Sequence, residues 1–584
     1  MKTFIKRNYK LIIFSFLFSL LIGFLVSRSL FSDFQFAILT DDADYLSIGT
    51  KEDVMIEIEQ NDEEYSVDLP EYYTGYDVSL KYTKNSDGDI ESVTVNEKNI
   101  DTYKLNEYAE GLYGNITLFN LERESHSFIY SFIIISIVLF SLLLFVFHDK
   151  ECLFFKELFK NIGKKHVIIT SIVVLVTIFF VCGCDAYVIV NAMRWFIDGV
   201  DIYQFQINTR NLLGTVYAQF PYNPISMFVY GGFFKVTSFI FKNLPLVRGY
   251  PYFQVFMIKI VNLVLIQLTV LSLLNYLISK KKIDNKKLIL IYYLSIFNPI
   301  LFYVAFLFVQ IDALSLFLIT FGLINLEKIK NNNYIGVLFL SLGLVIKAQL
   351  IIFIPIVLLS LFVYCIQKSK LIDGIKKLVC SYSIFAIIYL IFNLINNIVK
   401  SSYYLVNANL PQSERIYYTL VNYMGPTSIF ISIFFVGLII FNYSFSIKVG
   451  LDTFNLTKVN LIYLMVLIFT LSSTIVPTPS VYVLSLPAFV IFLYDEKDYL
   501  RLFIIYLFST GVILLPMLSD YGDIGFLLTG FGKKTFVMNY MEKLESLDYL
   551  RLNNVIFTIS AATMVAYSIY GLKKSKNYLE DKND

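Results

Sequence analysis

Charge is scarce in this 584-residue chain: Asp, Glu, Lys and Arg together make up 16% of it, against about 25% in a soluble domain. That shortage excludes an ordinary cytosolic enzyme. Histidine is rarer still. His126, His148 and His166 all precede the main apolar body, so neither a Ser-His-Asp mechanism nor a His-ligated metal is expected there. The cysteines Cys152, Cys182, Cys184, Cys365 and Cys380 lie in or beside apolar runs. They suggest neither a disulfide framework nor a C-x-x-C metal site and read as small core hydrophobes. Any proton transfer therefore falls to carboxylates.

What the chain has instead is apolar length. Hydrophobic residues make up 57% and aromatic residues 17%, arranged in more than a dozen runs of the roughly 20 residues that cross a bilayer as a helix. The expected fold class is a polytopic α-helical membrane protein. A net charge of +2 conceals a division: residues 32–126 hold 23 of the 46 acids and 6 of the 48 bases, which leaves −17 there and +19 elsewhere.

The charged loops order the runs. MKTFIKRNYK followed by Leu11–Val26 has no A-x-A-like cleavage site after it, and reads as a retained signal anchor, residues 1–31, with its basic end in the cytoplasm. Residues 32–126 alternate polar and apolar in VMIEIEQ, YSVDL, YDVSLKYT and ESVTVN, broken by NSDGD. This pattern predicts a small extracellular β-rich domain. Residues 127–166 hold a second span, Phe128–Phe147, and a lysine-rich cytoplasmic loop. A third span, Val167–Cys182, leads outward to Asp185.

Both Pro224–Phe241 and Val255–Ile278 are apolar enough to cross, yet two crossings would put the five lysines of Lys280–Lys287 outside, against the positive-inside rule. The first, interrupted by Gly231-Gly232 and Lys235, is therefore expected to lie on the outer surface, within an external loop 185–253. Basic loops at Glu327–Asn333 and Gln367–Lys377 enclose a stretch too long for one helix. A hairpin of two short helices fits, with Lys347-Ala348-Gln349 at its outer turn. Further runs near 378–396, 427–445, 459–476, 481–494, 500–518 and 553–572 bring the expectation to about 14 crossings, and both termini to the cytoplasm beside Lys573, Lys574 and Lys576.

Several residues could carry chemistry. Asp185 precedes AYVIVNAMRWFIDG, in which Tyr187, Asn191, Arg194 and Asp198 share one helix face. Asp185 is either an N-cap or a functional carboxylate, and the roles are compatible. Arg248 precedes the span starting near Val255, and Lys259 falls within its first turns. Ionisable groups at membrane depth face a cavity, a partner or a substrate; for Lys259 the alternative is snorkelling to the headgroups. Lys347, between apolar helices, is a candidate anion ligand. Asn298-Pro299 and Gln310-Ile311-Asp312 read in isolation as a helix breaker and a helix cap.

In order, the chain thus carries Asp185 opening an external loop, Phe220-Pro221-Tyr222-Asn223-Pro224, Asn298-Pro299, Val309-Gln310-Ile311-Asp312, and Lys347-Ala348-Gln349 with Pro355 following. Over residues 167–360 this series resembles the GT-C glycosyltransferases that use polyprenyl-phosphate sugars, particularly the bacterial polyprenyl-phosphate-mannose-dependent and dolichyl-phosphate-sugar enzymes. The family's later His-Glu-Arg-Tyr-like element is reduced to Pro479-Ser480-Val481-Tyr482.

The resemblance implies a GT-C-like core at 167–396, followed at 397–584 by a second external loop, C-terminal helices and a cytoplasmic tail. It implies Asp185 as catalytic base, and Lys347, Arg248, Lys259 and Arg194 as donor phosphate ligands. Tyr187, Tyr222, Gln310, Asp312, Gln349 and Tyr482 would support the pocket.

The expected function is transfer of a sugar, with inversion, from a polyprenyl-phosphate donor to a cell-surface glycan or lipid on the extracytoplasmic face. The donor is a substrate, and no cofactor, metal or nucleic acid is expected. A polysaccharide polymerase or ligase would favour paired arginines in a late external loop, where 519–552 offers Lys533, Lys534 and Arg551. A lipid-linked glycan transporter would favour inverted repeats.

Overall fold

The computed structural model describes the strands between residues 34 and 121 and helical residues within 13–23, 132–141, 189–193 and 456–464; with short gaps, it also describes 161–178, 224–237, 252–398 and 483–495. Two compact units divide the chain. Met1–Leu144, Tyr187–Gln254 and Leu390–Pro411 form one; Phe145–Ala186, Val255–Tyr389 and Gln412–Asp584 form the other.

In the first unit the strands run β1 (Phe34–Thr40), β2 (Asp44–Ile48), β3 (Val54–Glu57), β4 (Glu59–Asn61), β5 (Glu64–Leu69), β6 (Val78–Lys84), β7 (Ile90–Val95), β8 (Lys98–Asn99), β9 (Thr102–Lys104) and β10 (Asn115–Leu121). They form two five-stranded antiparallel sheets, ordered β3-β2-β1-β10-β9 and β4-β5-β6-β7-β8. Period-two alternation turns Leu80, Tyr82, Val93 and Val95 inward. Asn96 and Glu97 both have positive φ, the twist that a two-residue hairpin requires, and so set the register of β7 against β8.

The first and last strands are neighbours, with Phe34 facing Leu121. The chain therefore enters and leaves these strands side by side. The flanking helical residues also meet: Phe16 packs edge-on against Phe140 at 5.5 Å, and a Cβ on Gly23 would collide with Ser136. Ser15, Ser19 and Gly23 recur every four residues, the small-residue spacing that lets helices approach closely. Ser15 and Ser19 are buried while Ile13, Leu17, Ile134 and Ile137 are exposed, an outward apolar surface suited to hydrocarbon.

The first helix of the second unit is α1 (Lys164–Ile178); the surface-helix candidate, in the first unit, is α2 (Pro224–Val236). Its 13 described residues run through Gly231-Gly232 without a break. Ser226, Tyr230 and Phe234, four apart, are its buried face.

The second unit continues with α3 (Tyr252–Lys280), which begins in the first, then α4 (Asn285–Ile296), α5 (Pro299–Phe302), a π-helical turn (Tyr303–Leu307) and α6 (Ala313–Asn325). A 3-10 turn (Leu326–Asn331) leads to α7 (Ile335–Ile346), α8 (Phe353–Lys368), α9 (Leu371–Ile398) and α10 (Leu486–Asp495). Within α3 and α9, Phe253–Lys280 and Leu371–Ile391 are long and apolar enough to cross a membrane. The stretch too long for one helix is divided into the 12-residue α7 and the 16-residue α8. The runs at 427–445, 500–518 and 553–572 and residues 399–426 of the expected second external loop lie outside the described residues, and 397–398 belong to α9.

Polar side chains of this unit face inward. Thr170 of α1 bonds Tyr292 of α4 at 2.8 Å and accepts from Gln267 of α3 at 3.1 Å, while Ile168, Ile172 and Val176 of α1 are exposed. Four contacts gather the basic segments at one end. Asn161, just before α1, donates to Asn275 of α3 at 2.8 Å, and Lys280 pairs with Glu327 at 2.9 Å. Lys287 donates to the Tyr494 carbonyl at 3.3 Å, and Lys377 to the Lys330 carbonyl at 3.1 Å. Helix α9 starts at Leu371, so most of the expected basic loop Gln367–Lys377 is helical and Lys377 is buried.

Candidate functional site

The most specific polar feature at the other end of α6 and α7 begins with a broken helix. Asn298 accepts a bond from the Leu301 N–H at 3.4 Å, and Pro299 occupies the first position of α5, where no backbone donor is needed. Four residues later the chain widens into the π-turn Tyr303–Leu307. Asn262 of α3 donates to the Ala305 carbonyl there at 2.8 Å. Val309 follows with φ +58° and is fully buried. A β-branched residue in the left-handed region is a strained exception that its surroundings must enforce. Its effect is to end one helix and start α6 afresh, with Asp312 at the head.

Helices α6 and α7 then pack backbone to backbone. A Cβ on Gly322 would sit 2.5 Å from the Leu340 nitrogen, one on Gly336 2.6 Å from the Asn325 carbonyl carbon, and one on Gly343 2.9 Å from the Ile319 nitrogen. No larger side chain fits without moving main chain. Ser315 of α6 donates to the Gly343 carbonyl at 2.8 Å, and the same antiparallel register continues to Asp312 and Lys347.

There the two side chains meet. The Lys347 ammonium lies 2.9 Å from Asp312 Oδ1 and 3.0 Å from Oδ2. The carboxylate is 4% exposed and the ammonium side chain 13% exposed. Asp312 makes no side-chain cap bond to α6, so the cap reading of this residue gives way to an ion pair. Its backbone carbonyl still accepts from Leu316 N–H at 2.9 Å. The Lys347 carbonyl accepts from Leu350 N–H at 2.8 Å, which holds the turn between α7 and α8. A pair of this kind in a low-dielectric interior is costly to open by removal of one partner, about 3–5 kcal/mol.

Lys259 of α3 is fully buried, so it does not snorkel. It stands three residues before Asn262 on the same helix face, the face that reaches the π-turn. Toward the opposite, basic end, Tyr334 precedes α7 and is buried; burial pushes its phenol above the ordinary range. Among the described residues, no group of three or more His, Cys, Asp or Glu side chains is arranged to hold a metal ion.

Of the sequence-predicted site residues, the structure brings Asp312 and Lys347 together and buries Lys259. Asp185, Tyr187, Arg194, Tyr222, Arg248, Gln310, Gln349 and Tyr482 lie outside the described residues. Sequence reasoning missed Asn262 and Ser315, and named Val309 without its backbone conformation. Of the supporting features, only Gly336 and Gly343, seven residues apart along one helix stripe, left a readable signal. No protein-family model matches the chain, and no curated protein matches it.

Proposed function

We propose that the chain is a multi-pass membrane glycosyltransferase of the GT-C type, moving a sugar from a polyprenyl-phosphate donor to a glycan or lipid acceptor outside the cytoplasmic membrane. The observation that carries this reading is the Asp312–Lys347 pair, held at the end of α6 and α7 away from the basic segments. With those segments at the cytoplasmic surface, α6 and α7 rise only about 20 Å, at 1.5 Å per residue. The hydrocarbon core is about 30 Å thick. Lys347 then sits roughly 10 Å below its outer edge, a depth at which ionisable groups are paired and mark substrate paths. The remaining crossings of the 14-span topology, and an extracytoplasmic β domain, complete the same scheme.

In this scheme Asp185 acts as base. It takes the proton of the acceptor hydroxyl as that oxygen attacks the anomeric carbon, and the bond from that carbon to the phosphate oxygen breaks with its electron pair staying on the phosphate. Direct attack inverts the anomeric centre. The phosphate gains a charge as the bond breaks, and the Lys347 ammonium stabilises it. Arg248, Arg194 and Lys259 are further phosphate ligands in the proposal, and no metal is required by it.

The test is sugar transfer in membranes supplied with polyprenyl-phosphate sugar. Asp185→Asn should remain inserted and abundant and lose at least about a hundredfold in rate, the usual contribution of a positioned base. Transfer at the wild-type rate would remove this mechanism.

A further inference from the structure

Resting on the lipid-phosphate reading of this site, we infer that Asp312 sets which form of the lipid the site prefers, and that its carboxylate beside Lys347 lets the spent lipid phosphate leave. The problem arises from the reaction's own charge balance. The donor phosphate is a diester with one negative charge. Once the sugar has left, it is a monoester carrying about −1.5 to −2 at neutral pH. A recessed, uncompensated ammonium would hold the product more tightly than the substrate, because Coulomb attraction grows with charge and is poorly screened away from water. Such a site would fill with its own product.

The structure supplies the counterweight. Both Asp312 oxygens are within 3.0 Å of Lys347 Nζ, and the carboxylate is almost wholly buried. It cannot turn away to water. Its backbone is fixed on one side by the buried, left-handed Val309 and on the other by α6, which Ser315 ties to Gly343. The carboxylate offsets the ammonium's charge and repels the second charge of the product more than the single charge of the donor. Asp312 touches no reacting atom in this role and is a positioning and specificity residue. A purely structural Asp312 would affect the two lipids alike.

The experiment uses the full chain in lipid nanodiscs and measures equilibrium binding of polyprenyl-phosphate mannose and of polyprenyl phosphate. In Asp312→Asn the ratio of product affinity to donor affinity should rise at least tenfold. In the doubly neutral Asp312→Asn/Lys347→Gln variant it should fall back to the wild-type ratio or below. An unchanged or lowered ratio in folded Asp312→Asn overturns the inference while leaving the donor site intact. Should Asp312→Asn fail to fold, Lys347→Gln decides: product affinity should fall at least tenfold more than donor affinity, and equal losses overturn the inference. Binding of neither lipid by the wild-type chain overturns the donor reading, and this inference with it.

Discussion

Two lysines of the second unit, half-buried Lys347 and buried Lys377, make opposite use of their charge. Lys347 keeps 13% of its side chain exposed and its partner Asp312 is buried to 4%. Lys377 is the reverse: its side chain is 5% exposed, while Asp373, one helical turn earlier and 2.7 Å away, is 49% exposed. Lys377 also donates to the Lys330 carbonyl, so it fastens the start of α9 to the 3-10 turn after α6. At Lys347 the hidden member is the anion and the cation retains access to the outside. At Lys377 the cation is spent on main chain. Burial of a lysine alone therefore does not mark a site. Which member of each ion pair stays accessible separates the two.

The largest expected effect on this contrast comes from the glycine contact under Lys347. In Gly322→Val the new side chain meets the Leu340 backbone, and main chain cannot yield as a flexible side chain would. We expect a loss of about 3 kcal/mol in stability, seen as a lower thermal midpoint, together with weakened lipid-phosphate binding because the register that delivers Asp312 to Lys347 is displaced. A smaller effect is expected at the other lysine. Lys377→Met removes a charge-assisted bond to the Lys330 carbonyl, worth about 2 kcal/mol, and should lower the thermal midpoint while leaving transfer per folded molecule unchanged. A fall in transfer beyond the loss of folded protein would erase the distinction between the lysines.

Much of the framework is legible in the sequence. Lysine-rich breaks between apolar runs locate α3, α7 and α8, and put Lys347 between the last two, because charge at a bilayer edge and apolar length are local properties of sequence. The alternation in 32–126 likewise announced the strands. Asp312's partner was not legible. It lies 35 residues away, and the contact depends on glycines that set how closely two helices approach. The π-turn and Val309 were hidden as well, since YVAFL reads as ordinary apolar helix and nothing local in valine signals positive φ. Lys377 reads as a loop residue in the sequence because its lysine neighbours outweigh the helical spacing of Asp373 and Lys377. Asp185 depended on resemblance for its catalytic role, as spacing alone suits a cap equally well.

The most direct measurement compares sugar transfer, per folded molecule, by the wild-type chain, by Lys377→Met and by the neutral pair Asp312→Asn/Lys347→Gln, which keeps hydrogen bonding but removes both charges. The account predicts that the neutral pair loses transfer by about a hundredfold, the scale of removing one group that stabilises developing charge, and that Lys377→Met transfers normally. Wild-type transfer by the neutral pair would contradict it.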